Sequence, residues 1–249
     1  MNRIFRNTLL ATAGLLLAAP VATNAQTVGP EDTVPLSNWN YQELYEDSIS
    51  IDGLIDEVEV FGPGGEEIGD IENVLFSADG RILSVIAEIG GFWDIGDTHV
   101  NIPWSEVKFR ADREGITVPV TEETVENYSA YPDEMITETE ARVSTEPVDD
   151  NLATGARVWR ATELIGDYVR IREDDVYVNY GYVRDILVKD DRIAAVTVRP
   201  GNVGMVGGPY AYPFYGYRYG WEPGAAMYDL PYRPDEITVL KPIDSAAGR

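Results

Sequence analysis

The chain has 249 residues, 44% hydrophobic and 25% charged, an ordinary globular composition that excludes disorder throughout. With 19 Lys and Arg against 43 Asp and Glu the formal charge is −24, which excludes nucleic acid as a partner, because phosphates need a basic footprint. Cysteine is absent, so neither disulfide stapling nor lipid attachment at a cysteine is open to the chain, and packing must hold each folded unit.

Residues 1–25 read as a cleaved secretory signal peptide. Arg3 and Arg6 give a basic start, Leu9 to Ala19 is apolar but too short to span a bilayer, and Thr23-Asn24-Ala25 offers small residues before a cut. Removing them takes away two arginines and no acids, leaving 17 basic against 43 acidic residues, or −26. No later segment is apolar for long enough to cross a membrane as a helix, so the mature chain is expected to be soluble and periplasmic. Such acidity favours solubility and attracts cations or basic proteins weakly.

Residues 26–47 read as a polar leader, flexible through Ser37, followed by a short helix capped by Asn40 with Glu43 reaching back. Residues 48–115 read as a first β unit. Ile49 and Ile51, then Val58 and Val60, alternate with polar residues as in strands, and Gly62-Pro63-Gly64-Gly65 makes a tight turn. Gly69 to Ile89 is a β-hairpin whose Ala78-Asp79-Gly80 turn suits a carboxylate cap and a positive φ. Val74, Phe76, Val85 and Ala87 are expected on one face of it, with Ile82 and Ile86 on the other, so that both faces are partly apolar. The unit closes with a Pro103-Trp104 corner and a strand around Val107 and Phe109.

Residues 116–155 are rich in Glu, Asp, Thr and Pro and read as a charged, mobile acidic linker, giving two beads on a string unless it packs on one of them. Residues 156–243 repeat the first unit, and 244–249 are a tail. Gly181 to Val198 restates the hairpin with an Asp190-Asp191 turn, Leu164-Ile165 answers Leu54-Ile55, and Leu230-Pro231-Tyr232 is set against Ile102-Pro103-Trp104. On that alignment the second unit carries a long inserted Tyr/Gly-rich loop at 201–229.

The runs Ala161 to Val169 and Glu66 to Trp104, with their Ile-Gly, hairpin, Gly-Gly-Phe and Pro-Trp succession, resemble the PRC-barrel family, named for the cytoplasmic domain of the photosynthetic reaction centre H subunit. The resemblance covers roughly 48–111 and 158–243. It implies a mainly β fold of two small antiparallel barrels in tandem, acting through protein–protein contacts.

The chemistry expected is binding rather than catalysis. His99 is the single histidine, no cysteine nucleophile exists, and no serine sits in a nucleophile elbow. One histidine without cysteine excludes the usual zinc sets, no calcium-loop spacing occurs, and no cofactor is expected. The candidate binding residues are Tyr210, Tyr212, Phe214, Tyr215, Tyr217, Tyr219 and Trp221, whose rings can form an adaptable surface for a glycan or peptide, fold over the barrel as a lid, or remain disordered. The readings, in order, are a non-catalytic exported scaffold that binds another envelope protein, a ligand or polysaccharide module using the aromatic loop, and an unrecognised hydrolase.

Overall fold

The structure, a computed structural model, describes residues 33–90, 98–111, 115–125, 136–143, 145–148, 158–201, 208–216, 220–221 and 226–243. The segment read as a signal peptide lies outside the described residues. The chain begins with α1 (Gln42–Asp47), β1 (Ile49–Ser50) and α2 (Ile51–Glu57). A first run of strands follows: β2 (Glu59–Phe61), β3 (Glu67–Ser77), β4 (Ile82–Ile89), β5 (Thr98–Pro103), β6 (Lys108–Phe109) and β7 (Gly115–Thr117). Next come α3 (Glu122–Val125), α4 (Glu138–Val143), β8 (Glu146–Val148), β9 (Val158–Arg160) and α5 (Ala161–Leu164). The last part holds β10 (Tyr168–Glu173), β11 (Val176–Lys189), β12 (Arg192–Pro200), β13 (Tyr210–Pro213), β14 (Met227–Asp229) and α6 (Pro234–Ile237).

The fold is mainly β, in two sheets. The first runs β6-β7-β2-β3-β4-β5-β8 with β9 also on β3, and the second runs β13-β12-β11-β10-β14 with β1 also on β11. Their registers correspond. Val60 lies opposite Gly69 and parallel to Ile116, as Val169 lies opposite Gly181 and parallel to Tyr228. Gly69 and Gly181 are there because a Cβ at either would run into the carbonyl of the next strand, Glu88 in one case and Arg199 in the other. Gly181→Ala should therefore cost about 1–3 kcal/mol, the range for overpacking, read as a lower denaturant midpoint.

The turns use different chemistry for the same shape. Gly80 has φ 77, while Asp190 and Asp191 have φ 52 and 59, so both central residues of the second hairpin turn sit in the left-handed region that aspartate tolerates. At the first turn the Ser77 hydroxyl, aided by Arg192, holds the Asp79 carboxyl below its ordinary range.

Each sheet is completed by a segment that precedes the other. β1 pairs Ile49 and Ser50 with Val188 and Leu187 of the second hairpin, and β9 pairs Arg160, Trp159 and Val158 with Leu75, Phe76 and Ser77 of the first. Each arm then enters a helix whose start is held by a bulge residue of the hairpin it has joined. Asp185 accepts from the Asp52 amide at 2.9 Å and the Ser50 hydroxyl at 2.8 Å, and Asn73 bonds the Thr162 hydroxyl at 2.8 Å and the Thr162 amide at 3.4 Å. The hairpin tips meet as well: the Ile82 amide donates to the Asp191 carbonyl at 2.9 Å and the Ile193 amide to the Gly80 carbonyl at 2.7 Å.

A continuous hydrophobic core therefore contains residues of both sheets, among them Val74, Phe76, Val85, Ala87, Val169, Ile186 and Val196. Two beads on a string is not the arrangement. The described parts of 116–155 are not free linker either: Val118, Val120 and Val125 are buried in that core, and β8 pairs with β5. A second cluster, Leu75, Leu83 and Ile86 with Ile136, Ala141, Val148 and Val158, covers the other face of the first hairpin. Both hairpin faces are apolar because each is covered. Ile82 belongs to the main core, contrary to its expected facing, because a register shift at Leu75/Phe76 places it opposite Phe76.

The leader is anchored where it is described. Leu36, Tyr41 and Leu44 are buried, the Val34 amide donates to the Tyr215 hydroxyl at 2.9 Å, and the Tyr232 hydroxyl donates to the Val34 carbonyl at 2.9 Å. The short helix starts after Tyr41 without a side-chain cap, so Asn40 does not have the expected role. Ile51, expected in a strand, opens α2, where the Ser50 hydroxyl accepts from the Gly53 amide at 2.9 Å.

Candidate binding face

The residues singled out as an aromatic surface are placed largely inside. Val85 pairs with Ile102 as Val196 pairs with Tyr212, and Ser84 pairs with Pro103 as Ala195 pairs with Pro213. The counterpart of Ile102-Pro103-Trp104 is thus Tyr212-Pro213-Phe214, and Leu230-Pro231-Tyr232 answers Val118-Pro119-Val120 instead. Val118 and Leu230 donate alike, to the Phe61 and Arg170 carbonyls, each at 2.9 Å. With the corners reassigned the inserted loop disappears, since comparable lengths of chain join the matching strands. Tyr210 and Tyr212 occupy the places of Val100 and Ile102 in the core.

Tyr212 is 0% exposed and its hydroxyl lies 2.6 Å from that of Tyr180. Burial pushes both phenols up, Tyr180 to about 12. Trp221 is 1% exposed, stacked at 5.7 Å on Phe76 and edge-on at 5.8 Å to Trp159, with its indole donating to Asp167 at 3.0 Å. Burial pushes the Asp167 carboxyl up to about 6, against the pull of that indole N–H. Phe214 packs beside Gly80 at the first hairpin tip, as the Trp104 indole donates to Asp191 at the second at 2.7 Å. Tyr215 is half-buried, with its hydroxyl 2.6 Å from that of Tyr232. Tyr217 and Tyr219 lie outside the described residues. Tyr210, Tyr212 and Trp221 thus offer a ligand no ring face.

Exposed rings occur elsewhere. On the outer face of the second sheet Met227, Tyr168 and Tyr182 are successive register partners across β14, β10 and β11, at 39%, 61% and 36% exposure. Exposed Arg199 continues the row on β12. Beside it Arg170 grips Asp229 through two bonds, at 2.5 and 2.7 Å, and lies 5.5 Å from the Tyr177 ring centre. The bond to Asp229 holds the Arg170 guanidinium above its ordinary range. Arg172 and Arg184 are also exposed, and Arg184 bonds Asp52.

The corresponding row of the first sheet has the opposite character. Gly115, Glu59, Asp70, Glu88 and His99 are successive partners across β7, β2, β3, β4 and β5. Glu59 stands where the second sheet has Tyr168, Asp70 where it has Tyr182, and Glu88 where it has Arg199. Sequence reasoning missed this face because the alternate positions of a strand look like ordinary solvent positions when one copy is read alone. Setting the copies side by side in the correct register is the signal that finds it.

A small curled β unit with its first helix held by its own chain is the class that this geometry defines. Residues 55–125 match the PRC-barrel domain family, so the chain carries a PRC-barrel domain over that stretch, extending through α3. No curated protein matches the chain significantly. No helix among the described residues is long and apolar enough to cross a membrane.

Proposed function

We propose that this is an exported, non-catalytic scaffolding protein of two PRC-barrel units in tandem, which binds another envelope protein through the outer face of the second sheet. The observation that carries the reading is the row Met227, Tyr168 and Tyr182, exposed where the first sheet has Gly115, Glu59 and Asp70. Tyr, Met and Arg are the residue types enriched at protein interfaces, and neighbouring exposed rings are a better anchor than scattered ones. The exposed arginines around them favour a partner with an acidic surface. The tandem reading is supported by the paired registers, the paired glycines and the reciprocal helix starts, and the export reading by the basic, apolar and small-residue succession of residues 1–25.

The aromatic segment 201–229 is the weaker seat for a glycan or peptide, because its described rings, apart from the half-buried Phe214 and Tyr215, are in the core. The test is capture of a partner from envelope extract by the immobilised mature chain. Tyr168→Ser with Tyr182→Ser should abolish capture and leave the melting temperature nearly unchanged, since exposed sites carry within about 0.5 kcal/mol of stability. Glu59→Ser with Asp70→Ser, at the matching positions of the first sheet, should capture normally. Equal capture by both double variants would sink the proposal.

A further inference from the structure

We propose that Glu72, Glu88 and His99 form a binding site for a divalent transition-metal cation of the zinc type on the outer face of the first sheet. Each of the three offers one ligand atom, and these atoms all lie within 4.8 Å of one another. Three strands bring them together. Glu88 and His99 are direct register partners on β4 and β5, with His99 Nε2 3.9 Å from a Glu88 carboxylate oxygen. Glu72 is the extra residue where the β3 register shifts between Ile71 and Asn73, and it is exposed on the same face.

The donor set is what such a cation takes. Zinc accepts imidazole nitrogen at about 2.0–2.1 Å and carboxylate oxygen at about 2.0–2.2 Å, leaving a fourth position for water. Donors around one tetrahedral ion stand about 3.4 Å apart, so the present separations need only a small closing movement, which an exposed Glu72 side chain can make. The imidazole separates this site from the diffuse acidity of the surface, because nitrogen is a poor ligand for calcium or magnesium and a good one for zinc, cobalt or nickel. The second sheet supplies an internal contrast: Arg184 and Arg199 stand where the first has Glu72 and Glu88, so a cation is repelled there. His99 and its carboxylates were invisible as a set in the sequence because the pairing of β3, β4 and β5, not their spacing, makes them neighbours. This inference is independent of the proposed function.

The experiment is a calorimetric titration of the mature chain with zinc in excess calcium, which occupies indiscriminate acidic sites, alongside the visible absorption of bound cobalt. One zinc per chain and a cobalt band of nitrogen–oxygen coordination are expected. His99→Ala and Glu72→Gln should each weaken zinc by roughly tenfold or more, since even outer-shell losses cost that much, while Glu123→Gln, at an exposed acid elsewhere, should not. Circular dichroism and melting in chelator establish that each variant is folded, and Glu72→Gln, at an exposed position, keeps the test open if His99→Ala does not fold. Binding of several ions per chain, full displacement by calcium, or equal affinity in Glu72→Gln and the parent overturns the proposal.

Discussion

Trp221→Ala is expected to lower stability by about 3–5 kcal/mol, the usual cost of truncating a fully buried large aromatic side chain. Trp221 is bridged to Tyr228 of the second sheet while its ring is sealed between Phe76 and Trp159 of the first, so the lost contacts are ones that join the two sheets. Both should therefore melt together, at a lower temperature and in one transition by circular dichroism and by tryptophan fluorescence. Trp221→Phe keeps most of the volume but gives up part of the ring contact and the indole bond to Asp167, and should cost less, about 1–3 kcal/mol. Two separated transitions in the alanine variant would show that the sheets fold apart, and an unchanged midpoint would show that the ring is not core. The same burial makes this substitution a poor probe of ligand binding, since a loss of affinity would follow from unfolding.

Asp185→Asn is expected to stabilise the protein at neutral pH. Burial pushes the Asp185 carboxyl up to about 6 from 3.8, against the bonds that the Asp52 amide, the Ser50 hydroxyl and the Ile186 amide donate to it. Between those two pH values the folded chain keeps a proton that the unfolded chain has released. The contribution of Asp185 is thus most favourable below pH 3.8, is lost as pH rises to about 6, and is then flat, for a total of about 3 kcal/mol. Asparagine keeps the oxygen that takes both amides and turns an N–H toward Ser50, which can accept it. The chain already uses asparagine for this task, at Asn73. Urea midpoints of the two proteins should differ most at pH 7.5 and converge toward pH 4. An asparagine variant weaker than the parent throughout would mean that the carboxylate bonds outweigh the desolvation.

The hairpins were legible in the sequence because their cause is local. Alternating Val, Ile and Leu, the Asp-Gly and Asp-Asp turns, and glycines at 69 and 181 each follow from strand geometry at the residue concerned. Most of the stretch 55–125 that matches the PRC-barrel domain was legible for the same reason, through about residue 111, whereas 116–125 was read as linker. The corners were not, because Leu230-Pro231-Tyr232 and Tyr212-Pro213-Phe214 are chemically alike and only strand register distinguishes them. That error turned core tyrosines into a loop. The arms were illegible for a different reason: β1 and β9 are a few residues long, and their partners lie far along the chain, so no periodicity records the pairing. The outer face of the second sheet needed the corrected register before Tyr168 and Tyr182 stood out.

The crossing of β1 to β11 also sets a clock. Ile49 cannot meet Val188 until about three-quarters of the chain is present, and contacts of such long range must overcome loop-closure entropy before they return any stability. β11 lacks its β1 partner until then, so Leu187 and Val188 at that edge stay open to wrong partners during the interval. Refolding from denaturant should accordingly be slow, with yield falling as protein concentration rises. A chain arranged this way gains from being kept dilute, or escorted, until β11 has been made and has found β1.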